Sequence, residues 1–263
     1  MPSKLTKGIH REFYRNGPNH RAGADVTFGD IVKIFGFKSA TVGAWVTAKE
    51  QQIAANLFFD ALCDLMTILG VSEQVISLRG TLSIAFGHGG NKYASAHYSG
   101  ATRTLALAKN AGAGALAHEY FHAFDHYIAE RLFANAKSSH FASALWLEHD
   151  DLIEHPINHL LSECFERIFL SADGEQPSEL FNNSLRADDA TGTFYYARPE
   201  EVAARAFESF VQDHYLKNSF LVSGTKQTNE AKIGVYPSVT ERKLISQSFA
   251  EYFGALGIAV ARE

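Results

Sequence analysis

Apolar residues recur every three or four positions between Thr47 and Gly70, and this spacing predicts one long amphipathic helix. Thr47 and Glu50 have the spacing of a capping box, in which each side chain accepts a hydrogen bond from the backbone amide of the other residue. Gly70 readily adopts the left-handed conformation that ends many helices. The pattern therefore predicts both ends of this helix.

Short runs of β-branched and alternating apolar residues follow this helix and predict four strands. They read QVISL, TLSIAF, SAHYSG and TRTLALA, at residues 74–78, 81–86, 95–100 and 102–108. A glycine-rich turn, residues 87–92, separates the second strand from the third. A small sheet is therefore expected in the first half of the chain.

Helical patterns dominate the second half of the chain. Apolar spacing over residues 141–170 predicts helical pieces that are interrupted at Pro156. Residues 171–193 are rich in Gly, Pro, Asn and Asp and are expected to form a loop. Pro199 favours the first position of a further helix, and a last helix is expected from about Thr240 to Leu256.

These elements predict an α+β fold with a small mixed sheet and a mainly helical C-terminal half. We expect one domain over residues 28–263, with the strands in 28–135 and the helical half in 136–263. Residues 1–27 are expected to form a solvated N-terminal arm. The first 22 residues of the arm are basic, because they set five cations against the single acid Glu12: Lys4, Lys7, Arg11, Arg15 and Arg21.

The composition is that of a globular protein. Among 263 residues, 46% are hydrophobic and 20% are charged, which suffices for a sizeable core. The formal net charge of −5 argues against a general nucleic-acid binder. The sequence contains neither a signal-peptide pattern nor a run of about 18 apolar residues, so we expect a cytoplasmic protein without a membrane partner. Cys63 and Cys164 lie in apolar helical patterns and are expected to be buried thiols.

A polar stripe on one further helix carries the candidate chemistry. His118, Glu119 and His122 form an H-E-x-x-H pattern, and at about 100° per residue both histidines lie on one helix face. Two histidines at this spacing can bind one zinc ion, while Glu119 lies beside it and can move a proton. Asp125, one turn from His122, is a candidate to hold the other ring nitrogen of that histidine.

A third zinc ligand has to come from another part of the chain. His126 is about 12 Å along the helix axis from the first histidine, so one ion cannot be bound by both on a continuous helix. A second helix offers three acids: Glu200, Glu201 and Glu208. Glu201 lies on a narrow polar seam with Arg205, whereas Glu200 is typical of an exposed acid in a first helical turn.

Two segments resemble the lethal-factor type of gluzincin metallopeptidase. They read AHEYFHAFDHY at residues 117–127 and YYARPEEVAARAFE at residues 195–208. The resemblance implies a zincin-like metallopeptidase fold in which Glu201 is the third zinc ligand. It also implies a tyrosine that polarises the transition-state oxyanion, which is Tyr195 or Tyr196 here, and we prefer Tyr195.

This chain departs from that family at two positions near the site. Phe121 stands where glycine is common, and Arg205 stands where a glutamate supports the metal ligands. We expect Arg205 to pair with Asp125 or Glu208, or to bind a substrate carboxylate. In zincins an edge strand pairs with an extended substrate, and residues 95–108 are expected to supply it.

A longer stretch, from about Phe28 to Phe253, resembles the first large polyvalent-protein-associated domain of phages and conjugative elements. Among the matching stretches are SLRGTLSIAFGHGG and YPSVTER, at residues 77–90 and 236–242. Small bacterial proteins named for a likeness to the metalloprotease-like domain of calcium-activated chloride channel regulators are also similar. The resemblance implies a zinc metallopeptidase of a bacterium, phage or mobile element, and it implies no particular substrate.

The expected function is therefore zinc-dependent hydrolysis of a polypeptide. One Zn²⁺ ion and seven side chains define the expected site: His118, His122 and Glu201 as ligands, Glu119 and Tyr195 as catalytic groups, and Asp125 and Arg205 in support. The alternative is a weakly active or inactive zinc-binding protein of a mobile element that acts through protein or nucleic-acid interactions. The oligomeric state is left open.

Overall fold

The structure is a computed structural model and describes residues 8–88, 96–108 and 114–262. These residues contain ten α-helices, one short 3-10 helix and one four-stranded mixed sheet. The strands all lie in the first half of the chain, whereas the second half is helical. The predicted α+β class is therefore confirmed.

Two compact units make up the chain. One comprises residues 1–123 and 215–223, and the other comprises residues 124–214 and 224–263. The boundaries expected from the sequence, an arm over 1–27 and one domain over 28–263, stay predictions.

The first unit contains the sheet. Its elements are a 3-10 helix (Gly8–His10), α1 (Phe28–Phe35), β1 (Ser39–Val42), α2 (Ala48–Leu69), α3 (Glu73–Ile76), β2 (Ser83–Phe86), β3 (Ala96–Ser99) and β4 (Thr104–Leu107). The strand order is β1-β2-β4-β3, where β1, β2 and β4 are parallel and β3 pairs antiparallel with β4 at the edge. The last three predicted strands are confirmed, whereas β1 has no counterpart in the prediction. The glycine-rich turn predicted over residues 87–92 lies outside the described residues from residue 89 onward.

Helix α2 begins and ends where the sequence predicts. The Thr47 amide donates to Glu50 Oε2 over 3.0 Å, and the Glu50 amide donates to Thr47 Oγ1 over 3.3 Å. Gly70 adopts a left-handed φ of 65°, which lets its amide bond to the Met66 carbonyl. Both boundaries follow from local hydrogen bonds, which explains why they can be predicted from a short stretch of sequence.

In the described part of the chain, α2 is also the one helix that is long and apolar enough to cross a membrane. This is weak evidence for a membrane, because the buried core helix of a soluble protein passes the same test. Just over half of its apolar window, 56%, is buried within the protein.

Basic side chains of the N-terminal segment pair with acids of α2. Arg15 forms a two-point ion pair with Asp64, with N···O distances of 2.6 and 2.7 Å, and Arg21 lies 3.1 Å from Asp60. These two arginines are therefore held against α2 rather than solvated as expected. The predicted arm residues Lys4 and Lys7 lie outside the described residues.

The first predicted strand, residues 74–78, is wrong, because this segment forms α3 and the turn after it. Its β-branched residues Val75 and Ile76 are buried, and α3 packs against α1. Leu78 and Arg79 then adopt left-handed φ angles of 52° and 54°, which no continuing strand allows. Burial of the two apolar side chains thus outweighs their preference for extended backbone.

Helix α4 (Leu116–Leu132) crosses the boundary between the units, and the other elements of the second unit are helices. They are α5 (Ala142–Leu147), α6 (Pro156–Phe169), α7 (Glu179–Thr191), α8 (Pro199–Asp213), α9 (Asn229–Lys232) and α10 (Val239–Val260). The predicted interruption at Pro156 is confirmed as the start of α6, and Pro199 is the first residue of α8. The core joins α8 to α10 through edge-to-face and tilted contacts between the aromatic rings of Phe207, Phe210, Phe249 and Phe253.

The loop predicted over residues 171–193 is wrong over most of its length, because α7 occupies its second part. Ser178 caps this helix by accepting from the Phe181 amide, and Gly192 ends it with a φ of 65°. The helix buries only a narrow face, which includes Leu180 and Asp188. Its other faces are polar, so its composition is that of a loop although its caps are those of a helix.

Neither cysteine is disulfide-bonded. Cys164 is fully buried as expected, whereas Cys63 is half-buried. Burial raises the pKa of both thiols to about 12, so both are protonated at neutral pH.

Candidate metal centre

The first turns of α4 place the two motif histidines side by side. Their Nε2 atoms are 3.0 Å apart, and their rings are nearly perpendicular, at 84°. Two ligands of a tetrahedral zinc ion lie about 3.3 Å apart when each bond is about 2.05 Å. The spacing between His118 and His122 therefore fits two nitrogens that share one ion.

Backbone and aromatic contacts in the first unit fix this part of α4. The Gly114 amide donates to the Phe220 carbonyl and the Ala117 amide donates to the Leu221 carbonyl, over 3.2 and 3.0 Å. On the other side of the helix, the buried Tyr120 donates its hydroxyl to the Val75 carbonyl over 3.1 Å. The histidines thus stand on a helix that cannot rotate freely, because its opposite face is anchored.

Phe121, the bulky residue at a position where the resembled family has glycine, is completely buried. Its ring is therefore part of the core. Glu119 and His118 lie on the same turn and are both half-buried, whereas His122 is buried.

In the second unit, the first turns of α8 carry Glu201 and Arg205. Glu201 is 9% exposed, and its Oε2 atom accepts a hydrogen bond from Arg205 Nη2 over 2.9 Å. A second guanidinium nitrogen of Arg205 donates to the Tyr196 carbonyl over 3.0 Å. Arg205 thus pairs with the expected ligand itself, a partner that the sequence argument did not consider. Glu208 instead accepts from the Tyr236 hydroxyl over 3.1 Å.

The two candidate tyrosines lie over the guanidinium of Arg205. The ring centroids of Tyr195 and Tyr196 are 5.3 and 5.1 Å from its central carbon. Tyr195 is 44% exposed, and partial burial of its phenol, the charge of Glu201 and a hydrogen bond to that carboxylate raise the pKa of the phenol, so Tyr195 stays a hydrogen-bond donor at neutral pH. This proximity to Glu201 favours Tyr195 over Tyr196 as the tyrosine of the site.

Asp188 holds the segment that carries both tyrosines, and sequence reasoning missed it. Its carboxylate accepts hydrogen bonds from the amides of Tyr195, Tyr196 and Ala197, over 2.9, 2.9 and 2.8 Å. A fourth bond comes from the Thr193 hydroxyl over 2.7 Å. Three of the four donors are backbone groups, which every residue but proline has, so no residue pattern announces this arrangement.

Asp125 and His126 organise the chain that follows α4. The Asp125 carboxylate accepts from the Ser143 amide over 2.8 Å and also from the Ser143 hydroxyl. His126 Nε2 lies 2.7 Å from the Ser138 carbonyl oxygen, and its ring packs against Phe141. The role of Asp125 in orienting His122 stays a prediction.

His118 and His122 offer two imidazole nitrogens, and Glu201 of the second unit offers a carboxylate. That Glu201 is the third ligand beside the two histidines stays a prediction. Two imidazoles and one carboxylate form the donor set of catalytic zinc sites, which keep a fourth position for water. The residues therefore fit zinc, although whether they hold the ion stays a prediction.

These features define an α+β protein for which a zinc centre with two histidines and one glutamate is predicted. Residues 187–260 match the family model of the large polyvalent protein-associated domain 1, the family that the sequence resemblance also named. The match contains Asp188, Tyr195, Glu201 and Arg205. No curated protein and no solved structure matches the chain.

Proposed function

We propose that the chain is a zinc-dependent metallopeptidase. The observation that carries the proposal is the 3.0 Å spacing of the His118 and His122 Nε2 atoms on an anchored helix, with Glu119 between them in sequence. Glu201 supplies the third ligand in this proposal, as the resemblance implies. The zincin-like character of the fold and a cytoplasmic location in a bacterium, phage or mobile element belong to the same proposal.

Each side chain then has a separate task in peptide hydrolysis. A bound zinc ion supplies a Lewis acid and lowers the pKa of the attacking water. Glu119 accepts a proton from that water and later donates it to the leaving amine. Tyr195, which stays protonated, donates a hydrogen bond to the oxyanion that develops on the scissile carbonyl.

Strand β3 is the proposed binding edge for the polypeptide substrate. It is an edge strand of the sheet, with β4 as its neighbour on one side. An extended peptide can add to such an edge through main-chain hydrogen bonds, with little demand on its sequence. This supports a polypeptide as the substrate class.

A zinc-binding protein without hydrolytic activity is the second candidate function, and the Arg205 ion pair favours it. A cation that shares the ligand carboxylate withdraws charge from it, where the resembled peptidases have an acid. Such a protein would act through a macromolecular partner. A nucleic-acid partner is less favoured, because Arg15 and Arg21 are already paired with acids.

Three matched variants of the full-length protein test the first proposal: Glu119→Gln, Glu201→Gln and Glu200→Gln. We expect the wild type to bind one zinc ion per chain and to cleave members of a diverse peptide set. Glu119→Gln should keep the zinc and lower kcat by about 10²–10⁴-fold. Glu201→Gln should lose the zinc, while the neighbouring Glu200→Gln should change neither property. Zinc is measured by mass spectrometry of the metal and cleavage by mass spectrometry of the peptides.

Different outcomes contradict different parts of this proposal. Absence of zinc from the wild type, or unchanged zinc in Glu201→Gln, would show that the ligand set is wrong. Zinc binding without cleavage of any peptide would favour the second candidate. For its nucleic-acid version, affinity for DNA would have to fall steeply as the salt concentration rises.

A further inference from the structure

The carboxylate of Asp188 is the centre around which residues 193–197 fold. It lies near the end of α7, it is 6% exposed, and all four of its recorded donors come from the five residues that follow Gly192. Three consecutive backbone amides pointing at one anion form a nest, which binds a carboxylate strongly. The path of this segment is therefore set by Asp188 rather than by its own side chains.

The segment leads directly to the side chains of the candidate site. It carries Tyr195 and Tyr196, whose rings lie over Arg205, and the Tyr196 carbonyl accepts from the same guanidinium. Arg205 in turn holds Glu201. A continuous series of hydrogen bonds and ring contacts therefore runs from Asp188 to the expected ligand.

We propose that Asp188 is a positioning residue for Tyr195, because its carboxylate fixes the backbone of residues 193–197 and so sets where the phenol stands beside Arg205 and Glu201. This inference rests on the proposed function, in which the phenol donates to the oxyanion. It adds a requirement that the H-E-x-x-H pattern does not contain. Asp188 itself touches neither the substrate nor the ion.

The charge of Asp188 is suited to this task over a wide pH range. Burial opposes ionisation, but the hydrogen bonds from Ala197, Tyr195, Thr193 and Tyr196 outweigh it and lower the pKa of the carboxyl to about 2. An asparagine of the same shape offers one acceptor oxygen and turns an NH₂ group toward amide donors. Asp188→Asn therefore removes the charge and one of the two acceptor oxygens at nearly constant volume.

The test compares Asp188→Asn with Asp189→Asn, which makes the same change at the exposed neighbouring residue. Both are made in the wild type and in Tyr195→Phe, and kcat, KM, zinc content and hydrogen exchange of residues 193–198 are measured. We expect Asp188→Asn to lower kcat by about 10–100-fold, because a displacement of about 1 Å can cost that much. KM and zinc content should change by less than about threefold. In the Tyr195→Phe background the further loss of kcat should also be less than about threefold.

Hydrogen exchange separates this inference from the proposed function. The amides of residues 195–197 should exchange at least about tenfold faster in Asp188→Asn than in Asp189→Asn. If the wild type binds zinc but cleaves nothing, the proposed function fails, and slow exchange in Asp188→Asn would overturn the positioning role as well. If the wild type cleaves peptides, an unchanged kcat in Asp188→Asn overturns the inference. An equal loss of kcat with and without the Tyr195 hydroxyl also overturns it, because the effect would then not pass through Tyr195.

A milder variant keeps the test decisive if Asp188→Asn does not fold. Thr193→Val removes one of the four donors at an exposed position and leaves the carboxylate in place. It should lower kcat by about threefold to tenfold with zinc retained, since the three amide bonds remain. No change in kcat or in exchange at residues 195–197 would count against the proposal.

Discussion

The two ends of α8 each carry an acid that pairs with a buried arginine, but the two pairs are built differently. Asp213, the last residue of the helix, accepts two parallel hydrogen bonds from Arg242 over 2.8 and 3.0 Å. Lys226 lies 2.7 Å from the same carboxylate. The remaining donors of Arg242 go to the Ser209 hydroxyl and to the carbonyl and hydroxyl of Thr225. This guanidinium therefore donates hydrogen bonds to four acceptor groups.

Near the other end of α8, Arg205 makes a single hydrogen bond to Glu201 of the first turn rather than a two-point pair. Its other recorded bond goes to the Tyr196 carbonyl. One oxygen of Glu201 thus lies outside the pair with Arg205, whereas both oxygens of Asp213 take part in the pair with Arg242. The comparison teaches that burial and ion pairing alone do not mark a functional acid. The geometry of the arginine contact, with one bond at Glu201 and two parallel bonds at Asp213, distinguishes the two pairs.

The largest expected effect is on stability, at the C-terminal end of α8, where Arg242 pairs with Asp213. Arg242→Met keeps an apolar stem but removes five hydrogen bonds, so Asp213, Ser209 and Thr225 lose their common donor. We expect the free energy of unfolding to fall by about 3 kcal/mol, as measured by urea denaturation of the metal-free protein. Zinc affinity of the folded protein should not change. The exposed neighbour Lys243→Met is the control, and a loss as small as the control's would show that this pair is not structural.

A smaller effect on stability and a larger effect on zinc affinity are expected near the N-terminal end of α8, where Arg205 pairs with Glu201. Arg205→Met removes two hydrogen bonds rather than five, so its loss of unfolding free energy should be below that of Arg242→Met. Because Arg205 orients Glu201, zinc affinity should weaken by about 10–100-fold, as measured by competition with a chelating dye. Arg242→Met is the matched comparison, since it is the same substitution with the opposite expected result. Tighter zinc binding in Arg205→Met would mean that the arginine competes with the ion and would contradict this role.

Elements whose ends are set by nearby residues could be predicted from the sequence, whereas elements that depend on distant partners could not. Thr47, Glu50 and Gly70 set the ends of α2 within a few residues of sequence, and Pro199 does so for the start of α8. Helix α7 was missed because its few buried residues are spread among polar ones, although its cap Ser178 is a local signal that could have been read. Strand β1 depends on its pairing with β2, a partner more than 40 residues away, and its own four residues do not specify it.

The candidate site divides in the same way. Helical spacing alone brings His118 and His122 together, because they are one turn apart on the same helix. Glu201 is about 80 residues further along the chain, so helical spacing offered it as one of three acids on α8. Its place on the polar seam with Arg205 and the resemblance both favoured it. The pairing of Arg205 with Glu201 follows from their four-residue separation on α8. Other partners were expected for Arg205 because the resembled family has a glutamate at this position.

The smallest expected effect is the pH dependence of the stability that the Asp213–Arg242 pair contributes. Burial opposes ionisation of Asp213, but the hydrogen bonds and charges of Arg242 and Lys226 outweigh it and lower the pKa of its carboxyl. Because this pKa is lower in the folded chain than in the unfolded chain, the stability it contributes is fully present above about pH 4 and is lost as the pH falls further. The difference in unfolding free energy between wild type and Asp213→Asn should therefore shrink from pH 5 to pH 3 in urea denaturation. In the Arg242→Met background this shrinkage should be weaker, because the main cause of the lowered pKa is gone. An equal pH dependence in both backgrounds would show that Arg242 does not set the charge of Asp213, and the contrast between the two ends of α8 would lose its electrostatic basis.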